Sequence, residues 1–389
     1  MSTTSEIGSA LVEFIRDIYG TGDFIPLHAP VFDGNERKYV LDTIDSTFVS
    51  SVGPYVDLFE SRMAAFTGCE RAVAVVNGTS ALHVALVMSG VEPGDLVVTQ
   101  PLTFVATCNA IYYCGATPVF VDVDLDTLGM SAGALEQWLS ENTRLIDGEC
   151  RTTDSSARRV RACLPMHTFG HPADLDGLSA VCDRWNLTLV EDAAESLGSF
   201  YKSRHTGTIG RFGTLSFNGN KVLTTGGGGM VLASVQDGAA AKHLTTTAKI
   251  PHPYKFLHDA PAYNYRMPNI NAALGCAQLE QLDGILASKR VLAEKYEEFF
   301  SGSGFEFVKE PEGCRSNYWL NAVVCADSAQ REELLKSTND MGVMTRPIWT
   351  LMHRLPMYAD SPRGDTPHAE WLEERVVNLP SSAPPGARP

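Results

Sequence analysis

The stretch from Thr214 to Met230 constrains the possible fold and function of this chain more than any other part of the sequence. Its centre is Lys221, which follows Ser216 and precedes four consecutive glycines, Gly226 to Gly229, with no acidic residue in the run. In a confined, partly dry site an ammonium group loses hydration, which favours the neutral, nucleophilic amine that a Schiff-base lysine needs. The glycines allow close approach of the backbone to a ligand. On these residues alone, a turn lysine before a glycine-rich connection fits equally well.

Carboxylates that follow an apolar strand pattern change this balance. The run Leu187 to Val190 reads as a buried strand and leads directly into Glu191 and Asp192. The carboxyl ends of parallel strands are where open α/β sheets bind ligands. A carboxylate beside the pyridine nitrogen of pyridoxal phosphate keeps that nitrogen protonated, so that the ring withdraws electrons. Asp192, followed by Ser216 and Lys221, therefore predicts a pyridoxal phosphate site.

These motifs resemble those of the DegT/DnrJ-type sugar aminotransferases, a branch of the fold-type I enzymes related to aspartate aminotransferase. The resemblance extends from about residue 25 to about residue 380 and rests mainly on Glu191-Asp-Ala-Ala and on Ser216 to Lys221. It implies an α/β fold: a large domain with a mainly parallel seven-stranded sheet flanked by helices, and a smaller α+β C-terminal domain. We expect an N-terminal helix and arm over residues 1–35, the large cofactor-binding domain over 36–275 and the small domain over 276–389.

The pattern of strands and helices agrees with such a fold. Strand-like and helix-like runs alternate between Arg71 and Ala233, which predicts βαβ units and a mostly parallel sheet. The polar stretch Ser140 to Ser156 interrupts the pattern, and we interpret it as a long loop or insertion. Helical spacing dominates from Ile270 to Phe300.

The resemblance also assigns cofactor contacts. It implies pyridoxal 5'-phosphate bound covalently to Lys221 as an internal aldimine, with Asp192 at the pyridine nitrogen. The strand, turn and helix pattern around Gly78 predicts a helix N-terminus that binds an anion, although an ordinary N-cap is the commoner explanation of such a turn. Glu195 occupies a position near the ring hydroxyl that usually carries glutamine or histidine. The remaining expected cofactor contacts are Thr79, Ser80, Phe104, Ser216, Asn218 and Asn264.

Four further residues are candidates for binding substrate, and the alternatives differ among them. His167 is more readily explained as a structural histidine, because no sequence neighbour pairs with it as a carboxylate. Lys249 and Arg346 are candidates for a pyrophosphate or a carboxylate and equally for solvated surface charges. Arg266 lies beside Asn264, in a segment that in the family reaches the cofactor phosphate of the neighbouring subunit. The resemblance therefore implies a homodimer with shared active sites.

Composition excludes several classes of function. The 389 residues carry a net charge of −15, which argues against binding nucleic acid through a basic face. No run of 18 apolar residues predicts a transmembrane helix and no signal peptide is recognisable, so we expect a cytoplasmic protein. The nine cysteines are scattered without a Cys-x-x-Cys pair, as in a reducing compartment, and no pattern predicts a metal site.

Finer motifs indicate a subgroup and leave alternatives. Asp45 to Gly53, Met166 to His171 and Met344 to Pro347 resemble the transaminases of the legionaminic acid branch. That likeness implies transfer of an amino group, from glutamate, to the 4-keto group of a UDP-linked 2-acetamido-2,6-dideoxyhexose. The alternatives are an enzyme similar to the GDP-perosamine synthases and a non-catalytic regulatory protein that retains the fold. Related sugar dehydrases carry histidine in place of the lysine, so Lys221 disfavours them.

Overall fold

A computed structural model describes residues 4–384 of the chain, so residues 1–3 and 385–389 of the predicted terminal segments lie outside it. The helices are α1 (Thr4–Tyr19), α2 (Glu36–Asp45), α3 (Pro54–Thr67), α4 (Gly78–Met88), α5 (Val105–Tyr113), α6 (Ala132–Asn142), α7 (Leu175–Trp185), α8 (Val235–Thr245), α9 (Asn269–Leu279), α10 (Leu282–Phe300), α11 (Ser328–Asp340) and α12 (Pro367–Glu373). Short 3₁₀ turns occur at Thr168–Gly170, Met352–Arg354 and Pro356–Tyr358.

The strands fall into one large sheet and several small ones. They are β1 (Arg71–Val75), β2 (Leu96–Thr99), β3 (Thr117–Phe120), β4 (Thr143–Ile146), β5 (Glu149–Thr152), β6 (Val160–Leu164), β7 (Thr188–Asp192), β8 (Phe200–Tyr201), β9 (Arg204–His205), β10 (Phe212–Ser216), β11 (Gly229–Ala233), β12 (Lys249–Ile250), β13 (Leu257–His258), β14 (Glu306–Phe307), β15 (Cys314–Arg315), β16 (Asn321–Val324), β17 (Arg346–Pro347) and β18 (Val376–Leu379).

The central sheet has seven strands in the order β1-β11-β10-β7-β6-β2-β3. Its pairings from β10 across to β3 are parallel, whereas β11 runs antiparallel to both of its neighbours. The predicted mainly parallel, seven-stranded sheet is therefore confirmed. Its strands are apolar nearly throughout because helices cover both faces, which leaves no strand with a face toward water.

The topology brings polar side chains from distant parts of the sequence to one edge of this sheet. Asp192 is the last residue of β7, and Ser216 is the last residue of the parallel neighbour β10. At the end of β1 the chain turns through Asn77 into α4. These carboxyl ends form the edge at which a doubly wound sheet binds its ligands.

The smaller C-terminal unit is built on an antiparallel sheet in the order β14-β16-β18-β17. The N-terminal helix α1 packs against this unit, since Leu11 and Ile15 share a buried cluster with Leu334 and Val343. The predicted boundary at 275/276 lies inside α9, which packs on α2 and α3 of the large unit. The division of the chain into domains at this point therefore stays a prediction.

The stretch Ser140 to Ser156, predicted as a long loop or insertion, is not a loop but contains regular secondary structure between β3 and β6. α6 extends to Asn142, and β4 and β5 then form an antiparallel hairpin. Asp147 and Gly148 at its tip have φ of 52° and 83°, as in the tight turns that suit the twist of a hairpin. The Asp-Gly pair was a usable signal that the polar composition obscured. The helical stretch from Ile270 to Phe300 is likewise divided, into α9 and α10.

Within residues 4–384, no helix combines the length and the apolar character needed to cross a membrane.

Candidate active site

A cavity of about 390 Å³ opens at the carboxyl edge of the central sheet. This volume is within the range of pockets that hold small molecules and cofactors. Its wall contains most of the residues predicted to bind a cofactor. The lining residues are Asn77, Gly78, Thr79, Leu82, Phe104, Ala106, Thr107, Met166, Asp192, Ala194, Glu195, Ser216, Asn218, Asn220, Lys221, Trp319 and Trp349.

Asp192 is fixed at the base of this cavity by two hydrogen bonds. Thr107 Oγ1 donates to Asp192 Oδ2 over 2.7 Å, and the backbone N–H of Ala194 donates to Oδ1 over 3.2 Å. Burial raises the pKa of Asp192, while these two donors and the charge of Lys221 oppose that rise. A cationic N–H group bound in the cavity would therefore stabilise the ionised form of Asp192.

Lys221 and Glu195 form an ion pair on the cavity wall. Lys221 Nζ lies 3.2 Å from Glu195 Oε1, and the two side chains are 13% and 1% exposed. The ammonium also lies 3.8 Å from the centroid of the Trp319 ring, which places it over the indole face. The acidic partner that is missing from the Lys221 stretch is therefore supplied by the loop after β7.

Glu195 is held as tightly as Asp192. Its Oε2 accepts a 3.0 Å hydrogen bond from the N–H of Phe169, whose φ of 57° turns that N–H toward the carboxylate. Burial raises the pKa of Glu195 to about 7, against the opposing charge of Lys221. A carboxyl group with a pKa near neutrality, hydrogen-bonded to an amine, is suited to exchange a proton with that amine.

An anion cradle lies where α4 begins. The Asn77 side chain caps the helix by accepting from the N–H of Ser80 over 2.8 Å, so Ser80 has no N–H left for a ligand. Among the described residues, the N–H groups of Gly78 and Thr79 have no acceptor, and both line the cavity. A Cβ at Gly78 would lie 2.8 Å from Ser216 Cβ, so only glycine allows the helix end to contact the end of β10.

The glycine run allows close packing of the backbone and is not part of the cavity wall. None of Gly226 to Gly229 lines the cavity. A Cβ on Gly229 would meet the backbone of Asn77 at 2.4 Å, so this glycine allows β11 to lie directly beside the turn that enters α4. Gly229 therefore supports the cradle from behind, and that these glycines approach a ligand stays a prediction.

Aromatic side chains supply the flat, apolar part of the wall. Phe104 precedes α5 and is half exposed at the cavity. Trp319 and Trp349 come from the C-terminal third of the chain, and Trp349 contacts Phe169 with ring centroids 5.1 Å apart. Such surfaces suit a planar ring.

His167 does not reach the cavity as a substrate contact. It is fully buried, its Nδ1 accepts from the N–H of Ala173 over 3.2 Å, and its Nε2 therefore donates to Glu191 over 3.1 Å. Glu191 also accepts the N–H groups of Gly207 and Gly210, which holds the loop before β10. The interpretation of His167 as a structural histidine fits this geometry, and Glu191 is the carboxylate partner that the sequence did not indicate.

The other four predicted contacts lie away from the cavity of their own chain. Asn264 accepts from Arg266 Nε over 3.0 Å, and neither residue lines the cavity. Lys249 is exposed in the β12–β13 hairpin, and Arg346 is exposed in β17 at the side of the small sheet. A single chain therefore brings together Lys221, Asp192 and the cradle, but not the cationic residues predicted to contact phosphate or substrate.

Sequence reasoning missed Thr107, Asn220 and Trp319. Thr107 lies one helical turn after Thr103, to which it is hydrogen-bonded, and that spacing was the available signal. Asn220 accepts the Trp319 indole N–H through its carbonyl oxygen over 2.7 Å, a contact between loops that no local pattern indicates.

The residues present fit pyridoxal phosphate. The unpaired N–H groups of Gly78 and Thr79, with the Ser216 side chain beside them, can bind its phosphate. Asp192 can hold the proton on its pyridine nitrogen, and Lys221 is the amine on the wall. Phe104 offers an aromatic face.

Comparison with known proteins agrees with this site. Residues 30–384 match the DegT/DnrJ/EryC1/StrS aminotransferase family. The GDP-perosamine synthase of Escherichia coli O157:H7 is 37% identical, with 92% of this chain and 93% of that protein covered. The GDP-perosamine synthase of Caulobacter vibrioides is 36% identical, over 92% and 93% of the two chains. The solved structure of the aminotransferase TlmJ from Streptoalloteichus hindustanus superposes with a TM-score of 0.82 at 29% identity, covering 92% and 93%.

The match spans nearly the whole chain and includes the strand-end carboxylate, the cradle and the lysine described above. The chain belongs to the DegT/DnrJ/EryC1/StrS aminotransferase family, and it is an aminotransferase whose cofactor is pyridoxal phosphate.

Proposed function

We propose that the protein transfers an amino group from an amino acid, which we expect to be L-glutamate, to the 4-keto carbon of a GDP-linked 6-deoxyhexose. The observation that carries this proposal is the 36–37% identity to two GDP-perosamine synthases over 92% of the chain. It favours the GDP alternative over the UDP-linked legionaminic-type substrate that the finer motifs suggested.

The side chains on the cavity wall divide the work of such a transfer. When bound, pyridoxal phosphate carries the amino group from donor to acceptor, and its ring stores the electrons of the broken bond. With the cofactor bound, Lys221 would remove the proton from the carbon that bears the donor's amino group and return it to the cofactor carbon bonded to the same nitrogen. Asp192 retains a proton at the pyridine nitrogen, which keeps the ring electron-withdrawing.

Other residues prepare these two groups. Glu195 accepts the hydrogen bond of Lys221 and can take a proton from the ammonium, which leaves the neutral amine that acts as a base. The N–H groups of Gly78 and Thr79 hold the phosphate and so fix the distance from the ring to Lys221. Trp319 and Phe104 restrict water at the reacting carbon.

A substrate panel tests the proposal. The purified enzyme with L-glutamate is offered 4-keto-6-deoxyhexoses linked to GDP, UDP and dTDP, and the amino sugar is quantified by mass spectrometry. We expect the highest kcat/KM with the GDP sugar and no product in a Lys221→Ala control. A preference for the UDP-linked 2-acetamido sugar would return the assignment to the legionaminic branch. Loss of turnover with every sugar, together with no visible absorbance from bound cofactor, would indicate a regulatory protein.

We further propose that the active unit is a homodimer with shared sites. Exposed apolar side chains are concentrated in α2 and the loop after it, and are between 42% and 67% exposed: Leu41, Ile44, Phe48, Val49 and Val52. Such a concentration is typical of an interface. A second chain would also bring Asn264 and Arg266 to a cavity that their own chain does not place them in.

A further inference from the structure

A second lysine, Lys289 on α10, is fully buried behind the active site. Among the described residues it has no carboxylate partner. Its Nζ instead has three acceptors: the carbonyl oxygen of Trp319 at 3.2 Å, His28 Nε2 at 3.2 Å and the carbonyl oxygen of Ser381. An ammonium group has three N–H donors, so each one has an acceptor.

These acceptors lie on three segments that are distant in sequence. His28 is on the arm before α2, Trp319 is in the loop before β16, and Ser381 follows β18. Lys289 therefore joins α10 to three loops at a single point. Lysine is rarely buried this completely, and an apolar side chain of similar length would avoid its desolvation.

Desolvation at this contact disfavours the charged forms of both partners. Burial lowers the pKa of Lys289 to about 7. The facing His28 is partly buried, and its pKa is lowered first by desolvation and then by the charges of Lys289 and Lys221. The nearby hydroxyls of Tyr296 and Tyr19 donate to the carbonyl oxygens of Pro380 and Ser382, so they do not compete for Lys289.

Trp319, which is fixed by three hydrogen bonds, connects Lys289 to the catalytic amine. The Trp319 carbonyl oxygen accepts from Lys289, and its N–H donates to Asn317 Oδ1 over 2.8 Å. Its indole N–H donates to the carbonyl oxygen of Asn220, and its ring face contacts the ammonium of Lys221. Displacement of the Trp319 backbone would move the surface on which Lys221 rests.

We propose that Lys289 is a positioning residue for Lys221: by fixing the Trp319 carbonyl, it holds the indole face against the catalytic amine. The proposal rests on Lys221 as the amine of the proposed reaction and not on the identity of the sugar nucleotide. Misplacement of a reacting group by about 1 Å costs on the order of 100-fold in rate. The effect of losing Lys289 should therefore appear in kcat and in the environment of Trp319, with little change in the KM for glutamate.

The experiment is a double-mutant cycle of Lys289→Met and Trp319→Leu in the holoenzyme. It follows the donor half-reaction, read as the spectral change when L-glutamate is added, so no sugar nucleotide is required. We expect each single variant to slow this step roughly 10- to 100-fold and the double variant to be no slower than Trp319→Leu alone. Lys295→Met, at an exposed lysine of the same helix, is the matched control and should react at the wild-type rate.

A second readout does not depend on activity. The difference in fluorescence between the wild type and Trp319→Phe, in cofactor-free protein, isolates Trp319 among the five tryptophans. In Lys289→Met we expect this signal to be more readily quenched by acrylamide. If that variant does not fold, Lys289→Gln replaces it in both measurements.

Three results would overturn the proposal. The first is a rate loss in the double variant equal to the product of the losses in the two single variants. The second is unchanged acrylamide quenching of Trp319 in a folded Lys289 variant. The third is a wild-type rate in Trp319→Leu, which would overturn the proposal whatever the Lys289 variants do. A failure of the proposed sugar specificity would affect none of these measurements. If glutamate gives no spectral change even in the wild type, the proposed donor is wrong, and the fluorescence comparison still tests Lys289.

Discussion

Lys221 donates a hydrogen bond of 3.2 Å to Glu195, and the Glu195 side chain is almost completely buried. Burial raises the pKa of Glu195 to about 7, so this carboxyl group can gain or lose a proton near neutral pH while in contact with the amine. The pair therefore places a proton acceptor directly against the amine on the cavity wall.

Glu195→Gln should change how stability depends on pH. The folded-state pKa of Glu195 is raised to about 7 from an ordinary value of 4.5. The folded wild type therefore binds more protons than the unfolded chain between these values, and its stability relative to the variant decreases as pH rises from 4.5 to 7. The measurement is the Tm of both cofactor-free proteins across this range. Glu298→Gln, at an exposed glutamate of α10, is the surface control, and a stability difference that does not change with pH for Glu195→Gln would contradict the assignment.

Asp192→Asn should retain the cofactor but lose most of the rate. An amide cannot favour a proton on the pyridine nitrogen as a carboxylate does, and loss of one such electrostatic contact costs roughly 10²–10³-fold in kcat. Thr107→Val, which removes the 2.7 Å hydrogen bond to Asp192, should have a smaller effect of about tenfold. Steady-state kinetics and cofactor absorbance are measured together, with Asp183→Asn as a surface control. Near-normal turnover in Asp192→Asn would remove this residue from the mechanism.

Lys221→Ala should abolish both the visible absorbance of bound cofactor and turnover, the latter by roughly 10³-fold or more. Among the cavity residues, Lys221 is the sole lysine, so no neighbour can substitute for it. Lys336→Ala, at an exposed lysine on α11, should behave as wild type. Retention of both properties in Lys221→Ala would show that another amine holds the cofactor.

The sequence indicated the parts of the site that local patterns encode. Asp192 and Ser216 end neighbouring parallel strands, and Lys221 lies five residues after Ser216. Parallel strands bring their carboxyl ends together without further information. Trp319 could not be found in this way, since it reaches Lys221 through the packing of the C-terminal unit on the large one. The β4–β5 hairpin has a local signal in its Asp147-Gly148 turn, but the polar residues around that turn are typical of a loop.

The close contact between Gly78 and Ser216 in the anion cradle could not be predicted from the sequence. Gly78 was expected to bind phosphate through its N–H, but the structure adds that its missing side chain leaves space for Ser216. Gly78→Ala should therefore separate the helix end from β10 and weaken cofactor binding, by at least about tenfold in Kd. Titration of cofactor-free protein with pyridoxal phosphate measures this. Gly227→Ala is the matched control, because no atom lies within 4 Å of the added Cβ, and its Kd should equal that of the wild type. Equal affinity in both variants would rule out this role for Gly78.

Subunit exchange should restore activity between two inactive variants. One carries Lys221→Ala and the other carries Asn264→Ala with Arg266→Ala, residues that lie outside the cavity of their own chain. In a two-fold dimer with shared sites, a mixed pair contains one site in which Lys221, Asn264 and Arg266 are all intact. Equal mixing makes half of the dimers mixed, so we expect about a quarter of the wild-type activity. Exchange is verified by mass spectrometry of differently tagged chains, and each variant incubated alone is the control. Absence of recovery despite proven exchange, or full activity from a sedimenting monomer, would show that each chain completes its own site.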